Sequence, residues 1–211
     1  MALLQSLGAK SIPVVSKGDK FVFAQSIGDV VEFLGLEVDT RPQLSPAELV
    51  AKYDMILAAA ARHIRQMPDD QMAGKILDRD RTYRQLTYHI FRIAEALMDT
   101  ANGGELTVSY YKDDPPGDMQ TVEQIASFGD DVRNRLNQWW ADYPHKAGDA
   151  IVRTYFGQKP LHEVLERSTW HSGQHVRQIV MAMETFMGVT PENPLTADDY
   201  AGLPMPEKVW D

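Results

Sequence analysis

The chain has 211 residues, 44% of them hydrophobic and 24% charged, and its formal net charge of −9 argues against nucleic acids and anionic membranes, which attract basic surfaces. It contains no cysteine, which excludes disulfides, thiolate metal ligands and a cysteine nucleophile, so any thiol chemistry must use a small-molecule thiol. The first residues lack a basic signal region and no segment reaches the ~18 apolar residues of a membrane span, so we expect a soluble, cytoplasmic protein.

The first forty residues are predicted to form a small unit of two strands and a helix. Short β-prone runs at Ser11–Val15 and Phe21–Ala24 flank a turn and indicate a hairpin. Ser26 is a predicted cap for a helix over Ile27–Leu34, and Gly35 is its predicted end. The unit is too small to bury a core of its own.

This unit resembles the C-terminal half of a glutaredoxin over residues 7–36, on the basis of Gly8–Val15, Phe21–Ser26 and the helix that follows. In that family the backbone before the proline that matches Pro13 lines the glutathione site. The resemblance therefore implies that Ile12 and Pro13 contact a thiol substrate. The half with the redox cysteine motif is missing, so dithiol redox activity is not implied. The alternative is that the segment is only a structural addition.

Residues 45–190 are predicted to form four long amphipathic helices, which together make a four-helix bundle. The first begins at Ser45 with a capping-box pattern. The polar segment Asn102–Asp118 is expected to line a site, because long ordered loops are often functional. A β-prone run at Ile151–Tyr155 is either a short strand or an extended entry to the last helix. The tail, residues 191–211, is expected to pack on the bundle. The predicted helices are Pro46–Gln66, Thr82–Thr100, Val122–Trp140 and Leu161–Met187.

Two histidines in the last helix have the spacing of metal ligands. His171 and His175 are four residues apart, so both rings share one helix face and can reach one ion. Ser172 stands where a zinc protease has its catalytic glutamate, so that chemistry is not indicated. His89 lies in the apolar stripe of the second helix, either as a third ligand or as a hydrogen-bonded core residue. The alternative for the pair is that it binds no metal.

The pattern resembles the DinB/YfiT-like family of bundle metalloproteins over about residues 45–187. The resemblance implies a mainly α fold, a DinB-like four-helix bundle to which the N-terminal hairpin and helix are a small appendage. It also implies that His89, His171 and His175 bind a divalent transition metal, with zinc or nickel first among the candidates. Some members are thiol-dependent transferases or isomerases. The matching segments are His89–Phe91, Tyr155–Gly157 before Leu161–Leu165, and Trp170–Gln178.

Three functions stay open at this point. The first is a metal-dependent transferase that activates a glutathione-like thiol for attack on an electrophilic substrate. The second is a hydrolase that uses metal-bound water, although no carboxylate has a recognisable general-base spacing. The third is a non-catalytic, stress-associated binding protein.

Residue roles beyond the histidines follow from their positions. Gln174 and Gln178 lie on the histidine face and are predicted to bind substrate, whereas no catalytic residue is assigned. Arg177 is interpreted as the partner of a surface acid such as Glu184, with a substrate carboxylate as the alternative. The adjacent tryptophans at 139 and 140 favour a homodimer.

Overall fold

The structure is a computed structural model that describes residues 13–76 and 80–210. The chain divides into two compact units, Met1–Pro42 and Gln43–Asp211. No helix in the described ranges combines the length and apolar character needed to cross a membrane.

The first unit contains the predicted hairpin and helix. Strands β1 (Val14–Lys17) and β2 (Lys20–Phe23) pair antiparallel, and helix α1 (Ile27–Leu34) follows. The Ser26 hydroxyl accepts the Asp29 N–H, and Gly35 ends the helix at a φ of 70°, a left-handed conformation that glycine adopts without strain. Both predicted helix signals are therefore confirmed.

The second unit contains four long helices: α2 (Pro46–Ile64), α3 (Tyr83–Ala101), α4 (Val122–Asp142) and α5 (Leu161–Ala182). Helices α2 and α3 each pack mainly against α4 and α5, so α2 and α3 occupy opposite corners of the bundle. The mainly α fold and the four-helix bundle are therefore as predicted.

Helices α2, α3 and α4 begin with the same reciprocal cap. The hydroxyl of the capping residue accepts the backbone N–H three residues later, and the side chain at that later position accepts the N–H of the capping residue. This arrangement satisfies backbone donors that the first helical turn leaves without partners. The pairs are Ser45–Glu48, Thr82–Gln85 and Thr121–Gln124.

A small three-stranded sheet leads the chain into α5. Strand β4 (Ile151–Thr154) pairs parallel with β3 (Glu105–Leu106) and antiparallel with β5 (Gly157–Pro160). Of the two readings of the β-prone run, the strand is the one observed. Strand β3 and the 3-10 helix Val108–Tyr111 lie within the long segment predicted as a loop. A two-residue strand and a single 3-10 turn are too short to leave a periodic pattern, which is why neither was predicted.

Helix α4 approaches α3 closely at Gly129. The fully buried ring of Phe91 lies over this glycine, and a Cβ atom there would overlap the ring. At its C-terminal end, α5 continues into a π-helical turn, Met183–Met187, and Gly188 ends this turn. The chain then turns back across the second unit as the C-terminal tail.

Candidate metal centre

The structure brings the three predicted histidines together in the middle of the bundle. His89 comes from α3, and His171 and His175 come from the facing side of α5. Their ring centroids are 5.4 Å (89 to 171), 5.1 Å (89 to 175) and 4.8 Å (171 to 175) apart. One nitrogen from each ring can be chosen so that all three lie within 4.8 Å of one another. Each ring therefore offers one ligand atom to the same small space.

A buried hydrogen-bond chain fixes α5 against α3 at this level. The Ser172 hydroxyl donates to the carbonyl oxygen of Ile90 at 3.0 Å, so the Tyr53 hydroxyl is the donor in its 3.1 Å bond to Ser172. The two bonds join α2 and α5 to the backbone of α3 at Ile90, the residue that follows His89. Ser172 therefore helps to hold His171 and His175 at the level of His89. The sequence alone did not indicate this role.

Gln178 determines the tautomer of His175. The Gln178 amide nitrogen donates to the Val209 carbonyl at 3.1 Å, so its amide oxygen faces His175 Nδ1, at 2.7 Å. An amide oxygen only accepts, so Nδ1 carries the proton and Nε2 keeps its lone pair. This Nε2 is buried and has no hydrogen-bond partner within the described part of the chain. Gln178, predicted to bind substrate, thus contacts a candidate ligand.

His171 shows a second nitrogen without a partner. Its Nδ1 is also buried and finds no hydrogen bond among residues 13–76 and 80–210. Buried polar atoms are normally hydrogen-bonded, because desolvation without a partner costs free energy. Two such atoms in a group of three clustered imidazoles fit a metal ion, which would accept both lone pairs.

All three imidazoles are neutral near pH 7. Burial, followed by the repulsion that a protonated His175 would exert, holds the pKa values of His89 and His171 well below their usual range. Burial also lowers the pKa of His175, to about 4. Neutral nitrogen donors suit zinc, nickel and related ions, so the donor set fits the predicted metal.

Aromatic rings close one side of the histidine cluster. The Tyr111 ring lies 5.6 Å from the His89 ring and 5.5 Å from the His171 ring. Tyr155 packs edge-on against Tyr111, and Arg167 donates hydrogen bonds to both phenol oxygens. Burial raises the pKa of Tyr111 to about 12, so its phenol stays protonated. Tyr111 belongs to the long segment that was expected to line a site, and its ring lies beside the histidine cluster.

The C-terminal tail is bound to α5 beside His175. Arg177 donates to the carbonyls of residues 206 and 207 at 2.6 and 3.2 Å, and the Gln174 amide donates to those of 208 and 209 at 3.1 and 2.7 Å. The predicted ion pair of Arg177 with Glu184 is therefore wrong, because backbone carbonyls take its donors. Gln174 is engaged by the tail and by Arg177, which donates to its amide oxygen at 2.9 Å.

Two cavities open beside the histidines. One has a volume of about 370 Å³ and is lined by His175 and by Trp210 of the tail. The other, of about 210 Å³, is lined by His89. Arg81 lines both cavities. The tail and Arg81 were not predicted as parts of the site, because neither belongs to a spacing pattern in the sequence.

The two predicted N-terminal contacts lie in the first unit. Ile12 is outside the described residues. Pro13 is exposed, and its carbonyl accepts the Ala24 N–H at 3.0 Å, which extends the hairpin ladder. The thiol-binding role of both residues stays a prediction, as does the likeness to glutaredoxin.

Comparison with known proteins gives one family match. Residues 78–179 match a family model described as the DinB superfamily, and a comparison with curated proteins finds no match. The matched segment contains α3, α4, most of α5 and all three histidines. The match supports the DinB-like resemblance of the bundle and, together with the histidine cluster, is compatible with metal binding.

Proposed function

We propose that the protein binds a divalent transition metal through His89, His171 and His175 and acts as a metal-dependent transferase for a glutathione-like, low-molecular-weight thiol. The observation that carries this proposal is the pair of buried ring nitrogens, one on His171 and one on His175, that have no partner among the described residues. Zinc and nickel are the first candidates, because three imidazoles suit both ions.

A bound divalent ion would supply Lewis acidity, which lowers the pKa of a thiol beside it, so that the thiol proton leaves to solvent. The sulfur can then bond to an electrophilic carbon as the bond from that carbon to its leaving group, such as a halide, breaks. The chain's own residues hold the three imidazoles neutral, fix the Nδ1–H tautomer of His175 and shield one side of the site with Tyr111. Three protein ligands leave coordination positions for a substrate, which is the pattern of catalytic rather than structural sites.

The thiol has to come from a small molecule, because the chain has no cysteine. The cavity beside His175, of about 370 Å³, lies within the size range of small-molecule sites. Its mixture of apolar and polar lining residues suits a compact, polar thiol.

Hydrolysis is the weaker candidate because the nearby carboxylate is a poor base. Asp80 lines both cavities, yet it pairs with Lys75 at 2.6 Å, and this pairing lowers its pKa below the ordinary value. A general base for water works best with a pKa near neutrality. The tyrosine and glutamine side chains around the cluster do not supply one.

The thiol proposal is tested on protein loaded with cobalt(II), whose absorption reports its ligands. Glutathione should add a sulfur-to-cobalt charge-transfer band, whereas S-methylglutathione, which has no free thiol, should not. The loaded protein should also conjugate glutathione to an activated aryl halide. Unchanged absorption and no conjugation, in protein that has bound cobalt, would refute the transferase and leave the metal site standing.

A further inference from the structure

Arg81 lies at the junction of the two cavities beside the histidines. It directly precedes the capping residue of α3 and lines the cavity of His175 and also that of His89. It is half-buried, and one guanidinium nitrogen, Nη2, donates to the Tyr111 carbonyl at 3.0 Å. This bond fixes the side chain next to the ring that covers the histidines, and it uses one of five N–H donors.

No carboxylate lies within ion-pair distance of Arg81 in the part of the chain that is described. Two acids that line the cavities are paired elsewhere: Asp80 with Lys75 at 2.6 Å, and Asp113 with Arg92 at 2.8 Å. The Arg81 guanidinium therefore keeps its charge without a counter-ion among the described residues.

The remaining charges at the rim do not neutralise Arg81. Asp114 is exposed and accepts a hydrogen bond from the Gln85 amide, and Lys112 is an exposed cation on the same cavity. Burial alone lowers the pKa of Arg81, without an opposing contribution from any acid. An anion that enters these cavities therefore meets an unpaired guanidinium.

The positive charge of Arg81 also reaches the histidine cluster. Burial is the main cause of the low pKa values of His89, His171 and His175, and Arg81 contributes to the lowering at all three. Arg81 also lines one cavity together with His175 and the other together with His89, which places its side chain beside the histidine cluster. A small molecule can contact the histidines at one end and Arg81 at the other.

We propose that Arg81 binds the carboxylate of the small-molecule substrate whose reacting group lies at the three histidines. Guanidinium and carboxylate form paired, charge-assisted hydrogen bonds, which give both affinity and orientation. This inference rests on the proposed function, because it assigns the second anchoring point of the same substrate. It predicts that thiols with a carboxylate are preferred over uncharged thiols of equal size.

The test uses 3-mercaptopropionate and its uncharged isostere 3-mercaptopropanamide with the cobalt-loaded full-length protein. We expect the carboxylate to bind about tenfold tighter or more, since a charge-assisted hydrogen bond supplies that difference. Arg81→Gln should abolish the preference while the protein still binds cobalt. Arg153→Gln, which removes an exposed arginine that lines neither cavity, should behave like the wild type. A preference that persists in Arg81→Gln overturns the proposal.

Two further measurements separate the possible failures. Should Arg81→Gln not fold, Arg81→Lys keeps the charge but loses the paired geometry, and a preference that stays unchanged in it overturns the proposal. Should the wild type bind no cobalt, the metal function fails, and the anion site is tested in metal-free protein with propionate and propionamide. A shift of the Arg81 side-chain NMR signal with propionate alone supports the site, and the same spectrum with both overturns it.

Discussion

Gln178 lies behind His175 and decides which ring nitrogen faces the site. Its amide is itself oriented by the Val209 carbonyl of the tail, so a residue of the tail acts on a candidate metal ligand through one side chain. Partners of this kind raise the basicity of a histidine ligand and fix its ring orientation. The sequence places Gln178 on the histidine face, but the spacing alone does not distinguish a substrate contact from a ligand partner.

Replacement of this partner should weaken metal binding. Gln178→Leu is expected to lower metal affinity by about 10- to 100-fold, because His175 loses the acceptor that holds its tautomer. Gln178→Glu keeps an acceptor and should retain affinity. Competition with a chromophoric chelator measures the effect, and Gln138→Leu, on the exposed face of α4, is the control. Equal affinities for Gln178→Leu and wild type would contradict this role.

His63 is a fourth buried histidine, and it lies outside the cluster. It is 0% exposed, and both of its ring nitrogens lack a partner among the residues described. Burial, and then the charge of Arg62, lowers its pKa from the model-peptide value of 6.5 to about 4. Between these values the unfolded chain takes up a proton that the folded chain does not. Stability contributed by neutral His63 is therefore lost as the pH falls from 6.5 towards 4.

His63→Leu should make the metal-free protein less sensitive to acid. Between pH 7 and pH 5 the wild type should lose about 2 kcal/mol more unfolding free energy than the variant, from the proton uptake described above. Urea unfolding at the two pH values measures the difference. His89, His171 and His175 are present in both proteins, so their contribution to the pH dependence of the unfolding free energy cancels in the comparison. The same pH loss in both proteins would contradict the assignment.

At the scale of elements, the contact of α3 with α4 depends on the absence of a side chain at Gly129. Gly129→Ala should destabilise the fold by about 1–3 kcal/mol, because the added methyl overlaps the buried Phe91 ring. This cost exceeds the gain of about 1 kcal/mol from the higher helix propensity of alanine. Thermal or urea unfolding provides the measurement. Gly117→Ala is the control, because an added Cβ there meets nothing within 4 Å and stability should not change. Unchanged stability in Gly129→Ala would contradict the predicted clash with Phe91.

The hydrogen-bond chain through Ser172 holds α2, α3 and α5 at the level of the histidines. Ser172→Ala leaves the Tyr53 hydroxyl buried without its acceptor and removes the added bond to the Ile90 carbonyl, which should cost about 1–3 kcal/mol of stability. Ser127→Ala, on the exposed face of α4, should cost much less. In Tyr53→Phe/Ser172→Ala the two losses should be less than additive, since one network is removed. Simple additivity would contradict the shared network.

At the scale of the whole molecule, the features predicted from the sequence are those with a periodic or local signal. Apolar spacing and the cap at Ser45 predict the bundle, and the four-residue interval predicts that His171 and His175 share a face. The two-residue strand β3 has no such signal. The contact of Gln178 with Val209, and the position of Arg81 between the cavities, depend on how distant segments pack, which no local spacing encodes.

Elemental analysis after loading shows whether the three-histidine cluster binds a metal ion. Tag-free protein is stripped with a chelator, reloaded with zinc, freed of unbound ion and compared with a folded His171→Ala/His175→Ala variant. His145→Ala removes an exposed histidine outside the cluster and is the control. We predict about one ion per chain in the wild type and in His145→Ala, and almost none in the double variant, since one imidazole alone holds zinc weakly. A wild type that binds no ion, or a double variant that still binds one, would contradict the account.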